Sequence, residues 1–200
     1  TFKEIINNYK SIDCLINVAG GFDMGEPVEN QNWESMFDIN FNTTLNAISC
    51  VLRNMKDNNY GKIINFGSVA GIDGMGMAGP YSASKAAVHN LSQTINLETP
   101  SSISSYVFVL SIIDTLINRK AMPDADFSNW ISTKSIAEKI SLIMDNKESD
   151  DLIYFDWFES IKKNLMPIIL IKHIDSMVPI NWTIDRQNAI KKDIRTNCAI

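Results

Sequence analysis

The chain has 200 residues, 45% hydrophobic and 20% charged, with nine Gly and six Pro. This composition can bury a core and excludes a disordered tail, a collagen-like repeat or a disulfide miniprotein. Eighteen Lys and Arg against 23 Asp and Glu leave a formal net charge of −5, so the basic surplus of a nucleic-acid binder is missing. Cys14, Cys50 and Cys198 are far apart and form no C-x-x-C pair, which argues against a disulfide framework or a zinc site and for a reducing, cytoplasmic setting. No run reaches the roughly 18 apolar residues of a membrane span. Metal, nucleic acid and membrane are therefore not expected partners.

In chain order, Phe2, Ile5, Ile6 and Tyr9 recur at helical spacing, and the apolar run Cys14 to Val18 reads as a buried strand closed by Ala19-Gly20-Gly21. Trp33, Met36, Phe37, Phe41, Leu45, Ile48 and Leu52 share one stripe, which predicts a long helix over about 31–56. A strand over 62–66, a Gly-rich loop, a helix over 81–97 opened by Pro80 and a strand over 106–110 follow. A helix over 134–144 and a short strand over 152–155 come next. Strands alternating with helices imply an α/β fold with a parallel sheet covered on both faces. Residues 159–200 hold no clean period and read as an irregular extension.

Tyr81 and Lys85 stand four apart in Tyr81-Ser82-Ala83-Ser84-Lys85 and so share a helix face. An ammonium beside a phenol favours phenolate and lowers its pKa from about 10, which suits a general acid or base acting on an alcohol or carbonyl oxygen. Ser68 lies just past the 62–66 strand, where side chains face a crevice. Asn40 is a polar residue beside Phe37 and Phe41 that needs a local partner. Asn17-Val18-Ala19-Gly20 ends the first strand with small residues that admit close backbone approach. Gly74-Met75-Gly76-Met77-Ala78-Gly79 matches G-x-G-x-x-G, but its distance from the strand marks a substrate-side loop rather than a phosphate loop. His89, two turns beyond Tyr81 and without a paired carboxylate in sequence, reads as packing or capping.

Together these motifs resemble the short-chain dehydrogenase/reductase family over roughly residues 1–158. The resemblance implies a Rossmann-like, doubly wound parallel sheet and a catalytic set of Asn40, Ser68, Tyr81 and Lys85. It implies NAD or NADP as cofactor, contacted by Asn17, Ala19, Gly20, Tyr81, Lys85, Ile113 and Thr115. Tyr81 would exchange a proton with a small-molecule carbonyl or alcohol, Ser68 would orient it, Lys85 would hold the nicotinamide ribose, and Asn40 would hold a relay water. Asp114 to Arg119 and Ala121 to Trp130 are similar to dihydropteridine reductases, whereas the Gly67-Ser68-Val69-Ala70-Gly71 loop is nearer to general carbonyl reductases. Leu110-Ser111 replaces the family's Pro-Gly.

The family's Thr-Gly-x-x-x-Gly-x-Gly turn is not found in residues 1–60. By resemblance the chain then lacks the first βαβαβ strands, Thr1 is a cut, and the first strand here becomes an open apolar edge. The expectation is part of an oxidoreductase that is a homodimer or homotetramer when complete. The alternative is a truncated, non-catalytic relative that binds a partner or is inactive, and the sequence upstream of Thr1 discriminates between them.

Overall fold

The computed structural model describes residues 1–155, which fall within one unit, Thr1–Asp156. The extension expected over 159–200 lies outside the described residues. The elements are α1 (Phe2–Tyr9), β1 (Cys14–Asn17), α2 (Trp33–Phe37), α3 (Thr43–Asn58), β2 (Gly61–Phe66), α4 (Ala70–Asp73), α5 (Gly79–Glu98) and β3 (Ile103–Val109). There follow β4 (Ile113–Asp114), α6 (Leu116–Ala121), β5 (Ile131–Ser132), α7 (Thr133–Met144) and β6 (Leu152–Tyr154).

Parallel strands run in the order β1-β2-β3-β6. Their apolar runs reflect burial on both faces, the condition of a parallel sheet between helices. Consecutive residues of β2 show the division, because successive strand side chains point to opposite faces. Ile63 packs with Leu15, Ile48, Val51, Met55, Ile95 and Ile103, the face covered by α3 and α5. Ile64 packs with Tyr106, Phe108, Leu110, Ile136, Ile143 and Ile153, the face covered by α7. The expected α/β arrangement, with helices on both faces of a parallel sheet, is what the structure has. Among the described residues β1 pairs only with β2, and Ile16 within β1 is 40% exposed.

Three features depart from the sequence reading. The helix expected over 31–56 is broken into α2, a π-helical turn over Asp38–Asn42, and α3. β3 starts at Ile103, earlier than expected, because Ser105 is fully buried and its backbone pairs with the Asn96 carboxamide at 2.7 and 2.8 Å. The segment after β3 forms the two-stranded β4–β5 sheet and α6, elements too short to carry a period. Among the described residues no helix is long and apolar enough to cross a membrane, and no three His, Cys, Asp or Glu side chains gather as a metal site.

Candidate active site

The crevice of an open α/β sheet lies at the carboxyl ends of its strands. Here those ends turn through Ala19-Gly20-Gly21 after β1 and Gly67-Ser68-Val69 after β2. Asn40 reaches this edge from the π turn and is 1% exposed. Its Oδ1 accepts the Gly21 N–H at 3.0 Å and its Nδ2 donates to the Gly21 carbonyl at 3.0 Å. A π turn leaves helical carbonyls in need of other donors, and such turns mark functional positions. Thr43 donates its hydroxyl to the Asp38 carbonyl at 2.8 Å, and Thr44 to the Asn40 carbonyl at 2.9 Å. A Cβ on Gly20 would lie 2.7 Å from Asn40 Oδ1 and 3.4 Å from Lys85 Nζ. The carboxamide and the ammonium thus converge on a residue that must lack a side chain.

Tyr81 and Lys85 sit in the first turns of α5, where Pro80 near the helix start fixes the entry. Lys85 is 7% exposed, and its Nζ donates to the Phe66 carbonyl at 2.8 Å. Burial lowers its pKa to about 8. Tyr81 is half-buried, with Phe22 packed edge-on at 4.8 Å between ring centroids. The expectation that Lys85 lowers the phenol's pKa does not hold in this geometry. Burial pushes the Tyr81 phenol up, and the opposing pull comes from its hydrogen bond with the Ser68 side chain. Lys85 Nζ is 6.0 Å from the Tyr81 ring centroid and is engaged with Phe66.

Ser68 is 5% exposed; its Oγ accepts the Ala70 N–H at 3.2 Å, while its own N–H donates to His89 Nε2 at 3.2 Å. Asn40, Ser68, Tyr81 and Lys85 are therefore gathered at one edge. The remaining expected contact residues are more scattered. Asn17 donates its carboxamide to Asn65 Oδ1 at 2.8 Å, inside the sheet's own polar network, while Ala19 and Gly20 are exposed. The Ile113 carbonyl accepts from the Asn118 side chain at 2.8 Å. Thr115 caps α6 by accepting the Asn118 N–H at 3.2 Å. Sequence reasoning missed Gly21 and Phe22, whose partners are distant in sequence; His89, read as packing or capping, is buried and accepts the Ser68 N–H. The Gly-rich 74–79 stretch is not at a strand end: it joins α4 to α5, and the Met77 carbonyl accepts the Gly25 N–H at 3.0 Å.

The sequence profile of the short chain dehydrogenases matches residues 1–126. The chain belongs to this family. Among curated short-chain relatives, an uncharacterized oxidoreductase of Staphylococcus saprophyticus is 34% identical over 134 residues, which cover 65% of this chain and 56% of that protein. A sorbitol dehydrogenase of Cereibacter sphaeroides is 39% identical over 97 residues, 47% of this chain and 38% of the enzyme. The matched stretch thus covers 56% of the first of these relatives and 38% of the second. In fold it is similar to a gluconate 5-dehydrogenase from Burkholderia cenocepacia solved with NADP and tartrate. That match has a TM-score of 0.68 and 22% identity, over 78% of this chain and 67% of that one.

Proposed function

We propose that this short-chain dehydrogenase chain forms the nicotinamide and substrate side of an NAD(P)-dependent oxidoreductase that reduces a carbonyl or oxidises an alcohol. The observation that carries this reading is the convergence of Asn40 and Lys85 on Gly20, at the same edge as Tyr81 and the Ser68 side chain that acts on its phenol. The site suits the nicotinamide end of the cofactor, because Gly20 leaves a backbone cradle under the Lys85 ammonium that a Cβ would fill. Gly20, Ala19 and the backbone of Asn17 would line that cradle, Lys85 would hold the ribose hydroxyls, and Ile113 and Thr115 would border it. When bound, the cofactor supplies or accepts the hydride. The phenol of Tyr81 gives a proton to the substrate oxygen, or takes one from it, and the Ser68 hydroxyl orients that oxygen. Asn40 holds a water that links Lys85 to solvent.

Solved relatives include a xylitol dehydrogenase bound to NAD+ and the gluconate 5-dehydrogenase with NADP, so either coenzyme belongs in the test. A dihydropteridine reductase-like activity is the second reading. It is favoured by the 114–130 segment, where Arg119 pairs with Asp114 and stacks over Phe127 at 4.6 Å. A homodimer or homotetramer paired through α3 and α5 belongs to the same proposal.

The test takes the protein with whatever sequence flanks these residues in its gene and supplies NADH or NADPH with ketones, keto sugars and a quinonoid dihydropterin. Coenzyme-dependent reduction of a carbonyl is expected. Turnover of the dihydropterin alone would favour the second reading, and no turnover with any acceptor would favour a non-catalytic relative.

The charge on Lys85 gives the reaction a basic limit. As pH rises through about 8, Lys85 loses its proton, so kcat/KM for the coenzyme is expected to fall there. Stability moves the other way. The folded pKa lies below the unfolded value of about 10.4, so the unfolded chain binds more protons between the two and this group's contribution to stability rises with pH. A kcat/KM profile that stays flat to pH ~10 would contradict the role given to the ammonium.

A further inference from the structure

We propose that His89 is a positioning residue whose neutral imidazole holds the Ser68 amide and so keeps the serine hydroxyl beside the Tyr81 phenol. The proposal rests on the reading of Tyr81 as proton carrier. His89 stands one turn after Lys85 on α5 and is 5% exposed. Its Nε2 accepts the Ser68 N–H at 3.2 Å, and an imidazole nitrogen that accepts a hydrogen bond carries no proton, so the ring's hydrogen is on Nδ1. The loop is shaped to receive the ring. A Cβ on Gly67 would overlap Nε2, and one on Gly71 would lie 2.9 Å from Cε1. Two glycines, one on either side of Ser68 in sequence, are thus the space in which the imidazole sits.

The groups around the ring keep it neutral. Gly67, Ser68 and Gly71 present backbone, Val107 of β3 closes the same corner, and Lys85 contributes a positive charge from His89's own helix. Burial first, and then that charge, lowers the pKa to about 4. With the acceptor removed, the Ser68 N–H would be buried without a partner, a cost the loop relieves by moving. Any such movement shifts Oγ, which accepts the Ala70 N–H at 3.2 Å and belongs to the side chain that draws the Tyr81 phenol's pKa down against burial. A displacement near 1 Å is enough to slow a reaction by up to about a hundredfold.

The test uses the full 200-residue chain with ¹⁵N-labelled histidine, followed by NMR. The expected result is a His89 ring with Nε2 unprotonated and Nδ1 protonated, unchanged from neutral pH to about pH 5. His89→Gln keeps an acceptor near the Nε2 position, whereas His89→Leu keeps bulk without one. The Ser68 amide is expected to exchange about tenfold faster in the Leu variant and at nearly the wild-type rate in the Gln variant. In the protein with whatever sequence its gene places around these residues, His89→Leu is expected to lower kcat about tenfold without raising KM for coenzyme, and His89→Gln to restore most of it. A proton on Nε2, titration near the ordinary histidine value, or equal Ser68 exchange in all three chains would overturn the proposal. If His89→Leu does not fold, the ring tautomer in the unsubstituted chain decides. If the NMR results hold but Tyr81→Phe leaves turnover unchanged, the proton-carrier reading fails while the hold on Ser68 stands.

Discussion

Replacing Tyr81 with Phe is expected to lower carbonyl reduction by about 10²–10⁴, the range that a positioned general acid supplies. The loss should fall on kcat, because the substitution removes only the phenolic oxygen. The ring remains, and with it the edge-on packing of Phe22 at 4.8 Å. Lys85 keeps its bond to the Phe66 carbonyl and its approach to Gly20, so coenzyme affinity should change little. The phenol is half-buried and its nearest polar influence is the Ser68 side chain, so the fold should lose little stability. Steady-state kinetics and coenzyme titration by fluorescence, run on the same variant, separate these effects. Turnover equal to wild type would remove Tyr81 from the mechanism. A fall in coenzyme affinity without a fall in kcat would make it a binding residue.

A large stability effect is expected at Gly67. A Cβ there would overlap His89 Nε2 and lie 2.6 Å from Val107 Cγ1. Val107 is fully buried in the sheet and His89 is 5% exposed, so neither can swing into solvent. Gly67 also donates its N–H to the Phe108 carbonyl at 2.9 Å, continuing the β2–β3 pairing past the end of the strand. Gly67→Ala must therefore move the loop or the imidazole, at about 3 kcal/mol. Urea unfolding of the 200-residue chain measures this as a shift in midpoint. A loss below about 1 kcal/mol would mean that the loop yields easily and that the slot around His89 is not tightly built.

Much of the architecture is legible in the sequence because parallel strands buried on both faces leave uninterrupted apolar runs. Tyr106 to Leu110 is such a run and Ile63-Ile64 the centre of a shorter one, and α5 and α7 announce themselves by Pro80 and by helical period. The four candidate residues Asn40, Ser68, Tyr81 and Lys85 could be picked out for another reason: they sit in short motifs whose order resembles a known family. What escaped was set by distant partners. The π turn carries Asn40, whose carboxamide partner Gly21 is 19 positions away. The first residues of β3 hide behind the polar pair Ser104 and Ser105, of which Ser105 is held by Asn96 and Asn65. The direction of the Tyr81 pKa could not be read from the Tyr-x-x-x-Lys spacing. It depends on burial and on the engagement of Lys85 with Phe66. His89 looks like an ordinary helix residue until Gly67 and Gly71 are folded around it.

The central claim, that this edge of the sheet carries out hydride-coupled proton transfer, is tested most directly by following the isotope. The protein, with whatever sequence its gene places around these residues, is supplied with reduced nicotinamide coenzyme deuterated at C4 on the transferring face and with a ketone that it turns over, and the product is examined by mass spectrometry and NMR. The account predicts deuterium on the carbinol carbon of the wild-type product, and almost none formed in the same time by Tyr81→Phe. Coenzyme oxidation that leaves no deuterium on that carbon, or equal labelling by the two proteins, would contradict it.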